Sequence, residues 1–528
     1  MSHVTLAIAL IVLNLSLAFS NIWPTPAVRW TGQLSVEAGA AVAGLLWLSR
    51  GRRPVSGGVL AAMAAVWVVL IFGRYAEVTT PALLGRPINL FWDVRYARDV
   101  AAMFLQVAPK WAVLLGGLAV LLVLRLLFGI VRWALARVAR GAADPAERPV
   151  LAAVTLLLLV AFATGAFDRG AGSDRVSAFA TPVTQTLSRQ ARLLRDALGS
   201  PRTLPPTPPL DSDLARVRGA DVLLVFMESY GAVTWQRDDF IQRLRAPRAK
   251  LADDIRATGR QVVSGYVESP TYGGSSWFAH ISLLSGIEVG DPDTNALLMT
   301  QKRETLVTAF ARRGFRTVAL MPGLWQPWPE GSFYGFQQIY GGERLDYKGQ
   351  QFGWWALPDQ FTLAKFDAIE LAPTSRAPVF AFFPTVSTHT PFTPTPPYEP
   401  DWTRILTDHP FDDAVIEKLF DEQPDWMNLS PSYGNAVAYA HEVLGGYLRR
   451  RADRDLVMIV LGDHQPPALV SGEHQPWDVP VHIITSRRDV IDRLLTRGFK
   501  EGLDPAGVRI SKMHALLPIL LEAFGDRR

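Results

Sequence analysis

Apolar residues crowd the first third of the chain. Runs at Val4–Ala18, Gly57–Phe72, Trp111–Val131 and Val150–Phe167 are almost uninterrupted, and a weaker run, Val36–Leu48, contains Glu37. A helix that crosses a bilayer takes about 20 mostly apolar residues. The pattern predicts about five transmembrane helices, with Val36–Leu48 the weakest candidate. The shorter runs also suit core helices of a soluble protein, but their succession, joined by Arg-rich connectors, favours the membrane. The first run has no charged leader and no small-residue cleavage site, so it reads as an uncleaved span.

The connectors give an orientation. Arg50, Arg52 and Arg53 lie between runs two and three, and Arg132, Arg137, Arg140 and Arg148 between runs four and five, whereas the first connector carries only Arg29. Positive residues favour the cytoplasmic side, which predicts a cytoplasmic N-terminus and everything after Phe167 outside. The stretch PINLFWDVRYARDV, within the longer connector 74–110, is aromatic and basic, as suits a membrane interface. Arg125 sits near enough to the cytoplasmic end of its run to snorkel.

Beyond this region the pattern changes twice. Val176–Leu198 has apolar residues at helical spacing with arginines between, which suits a membrane-surface helix or a solvated connector equally. PRTLPPTPPL then reads as an extended, semi-rigid spacer. From Asp221 the pattern becomes α/β. DVLLVFM is a continuous apolar run, as in a strand buried on both faces. ETLVTAFARRGF followed by RTVALMPG reads helix, glycine stop, strand, and PVFAFFPTV, DLVMIVLGD and VPVHIITS are further strands. The expected organisation is a helical membrane domain at 1–168, a juxtamembrane helix and linker at 169–220, and an α/β domain with a central, mostly parallel sheet at 221–528.

Composition changes this picture little. The formal charge of +4 over 528 residues, without a basic stripe, argues against nucleic acid as a partner. The absence of cysteine excludes disulfides and thiolate metal sites.

The candidate chemistry lies where strands end, since sites in such sheets sit beyond the carboxyl ends. Glu228 follows DVLLVFM, Asp463 and His464 end DLVMIVLG, and His389 follows PVFAFFPTVST. These are oxygen and imidazole ligand types for a divalent metal. One such residue alone is commonly a turn or cap residue, but several exits in one domain point to a shared site. GGSSWFAHISLLSG adds a hydroxyl at a helix start, where free amides favour an anion. A metal beside it would make an alcohol nucleophilic; without one, the serine is an ordinary N-cap.

The ordered set VLLVFMES, GGSSWFAHISLLSG, GWWALPDQF, TVSTHTPF, VLGDHQPP and GEHQPWDVPVHII resembles the alkaline phosphatase/sulfatase superfamily, and within it the membrane-anchored lipoteichoic acid synthase-like enzymes. The resemblance implies metal ligation by Glu228, Asp463 and His464, a role for His389 near the transferred group, and substrate contacts from His389, His474 and Asp359. Aligned on Gly286, it makes Ser276 the nucleophile and a metal ligand; an alternative register chooses Ser275. Trp277, Phe278 and His280 depart from the Ser, Pro and Arg that sulfatases need for formylglycine, which disfavours sulfate-ester hydrolysis. The implied activity is transfer of a phospho-alcohol, phosphoglycerol foremost, from a membrane phospholipid to a glycan or glycolipid, with Mn2+ favoured and Mg2+ or Zn2+ as alternatives. The domain would lie outside the plasma membrane. Phosphoethanolamine transfer is the nearest alternative, although that subgroup is usually disulfide-rich; ester hydrolysis and a non-catalytic sensor follow. WQPWPEGSFYGF suits a sugar or glycerol site, or loop packing.

Overall fold

The computed structural model describes residues 2–22, 25–50, 54–84, 87–91, 93–94, 110–165, 177–199, 203–325, 328, 330–352, 357–373, 375–422, 424–505, 507 and 509–526. Arg52, Arg53, Phe167, Val176, the 95–100 end of PINLFWDVRYARDV, the GWWA of GWWALPDQF, the start of PRTLPPTPPL and three residues of WQPWPEGSFYGF lie outside them. The chain forms two compact units, Met1–Ser200 and Pro201–Arg528.

The first unit is helical. Among its described residues, two helices are long and apolar enough to cross a membrane: Gly57–Leu84, with 28 residues, and Lys110–Ala143, with 34. At a rise of 1.5 Å per residue these reach about 42 and 51 Å, beyond the ~30 Å hydrocarbon core. Leu114, Leu118, Leu121 and Leu122 on the longer helix are each more than half exposed, as suits lipid rather than water. The other three apolar helices are shorter than the five-span pattern predicts. Ser2–Leu15 stops because the chain turns into a hairpin of β1 (Phe19–Asn21) and β2 (Val28–Trp30). Val36–Leu48 is bounded by Ser35, which caps the Ala38 amide, and by Ser49. Arg148–Thr164 ends at Gly165, which takes the left-handed conformation (φ 62°).

The connector arginines have specific partners. Arg137 makes a two-pronged bond to Glu147, at 2.9 and 2.7 Å, and donates to Thr5 Oγ1 at 2.9 Å. Arg148 donates to the carbonyls of Leu46, Ser49 and Ala142. It thereby satisfies orphan groups at the ends of two helices.

The second unit is built on a nine-stranded sheet. Its strands are β3 (Asp221–Met227), β4 (Gln261–Glu268), β5 (Arg316–Met321), β6 (Gln338–Gly341), β7 (Val379–Pro384), β8 (Leu456–Gly462), β9 (Asp478–Thr485), β10 (Lys500–Glu501) and β11 (Arg509–Lys512). The order is β10-β4-β9-β8-β3-β7-β5-β6, with β11 on β4. The strands from β8 to β6 are mutually parallel, and β9 runs antiparallel to both β8 and β4. The sheet is therefore mostly parallel. Side chains alternate between faces: Val222, Leu224 and Phe226 of β3 enter one core, and Leu223, Val225 and Met227 enter the other. Helices cover both faces, so the whole strand is buried and its sequence shows no alternation.

The Pro-rich stretch is not a free spacer. Leu210, Leu214 and Val217 are buried in the domain core, Arg303 donates to the Pro205 carbonyl, and Arg312 donates to that of Leu210. An extended segment with unpaired carbonyls suits arginines on a neighbouring surface, and its apolar residues dock it there.

Candidate metal and nucleophile site

Strand register assembles the site. β3 and β8 pair from Asp221 with Leu456 to Met227 with Gly462, so the next residues, Glu228 and Asp463, leave the sheet side by side. That register is fixed at its start, where Asp221 accepts both arms of Arg376 and the Val379 amide. It is fixed at its end by Thr385, whose amide donates to the Phe226 carbonyl and whose hydroxyl accepts from the Glu228 amide at 3.0 Å. Gly462 admits the close approach: a Cβ there would lie 1.9 Å from the Tyr230 carbonyl oxygen.

Ser276 comes from another side. It is the first residue of the helix Ser276–Ser285, which buries Phe278, Ile281, Leu283 and Leu284 in the core. Its hydroxyl donates to Glu228 Oε2 at 2.9 Å and lies 3.2 Å from His464 Nε2. Ser275, one residue earlier, has left-handed backbone (φ 63°), and its side chain makes no capping bond. The hydroxyl at the cluster is that of Ser276.

Ligand atoms of Glu228, Asp463 and His464 all lie within 4.8 Å of one another. Asp463 Oδ1 accepts the amides of Ser229 and His464, at 2.8 and 2.7 Å, while its buried Oδ2 has no hydrogen-bond partner among the described residues and lies 3.9 Å from His464 Nε2. His464 Nδ1 bonds the Gln465 carbonyl at 2.7 Å, which puts the proton on Nδ1 and leaves the Nε2 lone pair facing the cluster. Burial pushes the Asp463 carboxyl well up, and the adjacent Glu228 charge pushes it further. Glu228 resists the same burial, because His464 and His389 hold it below the usual carboxylate range. Two buried carboxylates, an orphaned oxygen and an open imidazole nitrogen fit a divalent cation with N/O ligands.

His389 stands at the exit of β7. Its Nδ1 bonds the Thr390 carbonyl at 2.7 Å, and it interacts electrostatically with Glu228 and His464. Asp359 differs from the expected substrate contact. It is buried, and its two oxygens accept the amides of Val386 and Ser387, at 2.8 and 3.1 Å. Its carboxylate is spent on the segment that carries His389, so it touches the site only through that segment. His474 is exposed on the loop before β9, with left-handed backbone (φ 54°), and is not in the cluster. Ser229 and Thr385, which orient the ligands, were not singled out in the sequence. Ser229 directly follows Glu228 and donates its hydroxyl to Glu228 Oε1 at 2.9 Å, so position alone could have marked it.

Asp359 gives a test. Burial raises its carboxyl to about 6, above the ~3.9 of an unfolded chain. A raised pKa favours folding at low pH, and that contribution is lost as pH rises from about 4 through 6, by roughly 3 kcal/mol. Asp359→Asn mimics the protonated carboxyl and cannot titrate, so the variant is expected to lie within about 1 kcal/mol of the wild type at pH 4 and to lose the pH 4–6 slope. Thermal melts of both proteins across that range check it, and an unchanged slope would remove Asp359 as its source.

A serine hydroxyl, two carboxylates and an imidazole meet at the carboxyl edge of a mostly parallel sheet, a set of groups that could hold a divalent cation beside a hydroxyl. Residues 221–481 match the sulfatase family model. Solved structures similar to the chain include the lipoteichoic acid synthase LtaP from Listeria monocytogenes (15% identity, 56% of this chain and 71% of that one, TM-score 0.38). The Streptococcus pyogenes phosphoglycerol transferase GacH, in complex with sn-glycerol-1-phosphate, is also similar (13%, 64% and 85%, 0.36). So is the integral membrane lipooligosaccharide phosphoethanolamine transferase EptA from Neisseria meningitidis (14%, 98% and 96%, 0.48). No curated protein sequence matches the chain.

Proposed function

We propose that the second unit transfers a phospho-alcohol, phosphoglycerol foremost, from a membrane phospholipid to a hydroxyl of a glycan or glycolipid, through a covalent bond to Ser276. One observation carries this reading: a single hydroxyl at a helix start contacts Glu228 and His464 while Asp463 points an unpartnered oxygen into the same cluster. Glu228, Asp463, His464 and Ser276 would hold the ion, Mn2+ foremost. When bound, such an ion lowers the pKa of a coordinated hydroxyl and offsets phosphoryl charge.

The chain's own groups do the rest. Ser276 Oγ bonds to phosphorus as the bond from phosphorus to the diacylglycerol oxygen breaks. The Ser276 hydroxyl already donates to Glu228 Oε2, so its proton leaves on that side. His389 protonates the departing diacylglycerol oxygen. An acceptor hydroxyl then gives its proton to His389 and attacks the same phosphorus, the bond from phosphorus to Ser276 Oγ breaks, and Ser276 Oγ takes its proton back from the Glu228 side. His474 serves as a substrate contact on the adjoining loop. The first unit anchors the chain as a multi-pass protein of the plasma membrane, with its Arg-rich connectors in the cytoplasm and the domain outside.

The experiment uses the full chain in lipid nanodiscs containing head-group-labelled phosphatidylglycerol or phosphatidylethanolamine, with Mn2+. Label from phosphatidylglycerol on the Ser276 peptide is expected. Label from phosphatidylethanolamine alone would change the head group, and label from neither would sink the transfer reading.

A further inference from the structure

The residue after His464 joins four segments. Gln465 is fully buried and directly follows Asp463 and His464 in the chain. Its side-chain Oε1 accepts the Val233 amide at 3.2 Å, and its Nε2 donates to the Pro476 carbonyl at 2.9 Å. A backbone amide only donates and a carbonyl only accepts, so these partners fix which end of the carboxamide is oxygen. Val233 lies just beyond the exit of β3, and Pro476 lies in the loop before β9. The carboxamide therefore clamps Gln465 between them. The fit is close: a Cβ on Gly231 would lie 1.8 Å from Gln465 Oε1 and 2.8 Å from its Cα.

The clamped residue presents one carbonyl to two donors. His464 Nδ1 lies 2.7 Å from it, and the Gly273 amide donates to it at 3.2 Å. Both lone pairs of that oxygen are in use. The first bond puts the His464 proton on Nδ1 and leaves Nε2 facing the Ser276 hydroxyl, 3.2 Å away. The second bond holds the loop that delivers Ser276. Gly273 and Gly274 take φ 66° and 150°, and two adjacent glycines give the backbone little stiffness of its own. The loop is placed from outside, by this bond and by the bonds of Ser269 to the carbonyls of Asp463 and Trp477.

We propose that Gln465 is a positioning residue: its carboxamide fixes the one carbonyl that sets both the tautomer of His464 and the place of Ser276. The effect on catalysis rests on the transfer reading; the tether between Gln465 and the serine loop does not.

Two measurements on the full chain in nanodiscs separate these. Gln465→Met keeps the length of the side chain and removes both of its bonds, whereas Gln465→Asn keeps the amide and falls short of both partners. Hydrogen exchange read by mass spectrometry, after chelation, should run roughly fivefold faster in peptides covering 270–276 of Gln465→Met, with 456–462 of β8 unchanged. Head-group transfer with Mn2+ should show kcat lowered about tenfold or more, with an unchanged KM for the lipid. Gln465→Asn should fall between the two proteins in both readouts, and it decides the question if Gln465→Met does not fold. Unchanged exchange at 270–276, or an equal rise at 456–462, would overturn the tether. Faster exchange with kcat unchanged, or a loss carried by KM, would overturn the positioning role. A wild type that takes up no label would sink the transfer reading, and exchange would still judge the tether.

Discussion

Ser276→Ala will remove head-group transfer, by on the order of a thousandfold or more, and leave the fold intact. The magnitude follows from the role. A covalent intermediate needs the oxygen, and no neighbouring group replaces it, because Ser275 occupies left-handed backbone one residue away. The small effect on stability also follows. The hydroxyl is half-buried and gives up one hydrogen bond to Glu228 and a contact with His464, a net loss of about 1 kcal/mol. Ser275→Ala should leave transfer running, and because serine already carries the left-handed cost at φ 63°, about 1–2 kcal/mol, alanine should add little strain. Ser276→Thr keeps the oxygen and should retain part of the activity. Mass spectrometry of the labelled peptide, with transfer rates for all three variants, checks the set. Label that persists in Ser276→Ala and disappears in Ser275→Ala would move the nucleophile by one residue.

The four residues that the structure brings together stand at element ends that hydropathy marks. Glu228 ends one fully apolar run, Asp463 and His464 end another, and Ser276 opens an apolar helix that stops at a glycine. What hydropathy does not reveal depends on distant partners. β4 (QVVSGYVE) did not read as a strand, because Ser264 and Gly265 break its apolar run. Both are explained only in three dimensions: Ser264 bonds His482 of β9, and Gly265 faces Ile510, where a Cβ would lie 2.2 Å from its Cδ1. The bonds of Asp359 to Val386 and Ser387 cross 27 and 28 residues, so the local sequence shows no brace, and the substrate contact came only from the family resemblance. The shorter apolar helices show a similar limit. Composition alone marks a run as apolar, whereas Gly165 and the turn after Leu15 decide where each helix ends.

Asp463→Asn will cut transfer on the order of a thousandfold and abolish stabilisation by Mn2+, without loosening the metal-free protein. The two oxygens of Asp463 have different jobs. Oδ1 holds the amides of Ser229 and His464, and the asparagine oxygen takes over those bonds. Oδ2 has no hydrogen-bond partner among the described residues and lies 3.9 Å from His464 Nε2, and the new NH2 group would aim a donor at the space the cation needs. The metal-free variant also escapes a buried pair of carboxylates, the arrangement that pushes the Asp463 carboxyl up beside Glu228. It should therefore melt no lower than the metal-free wild type. Mn2+ at a hundred times its dissociation constant stabilises the wild type by about 2.7 kcal/mol and the variant by none. A raised carboxyl pKa means that binding displaces a proton, so the wild-type gain shrinks as pH falls. Melting curves with and without Mn2+, after chelation, read all three effects. Equal stabilisation of both proteins would put the ion elsewhere in the chain, and with it the source of Ser276's reactivity.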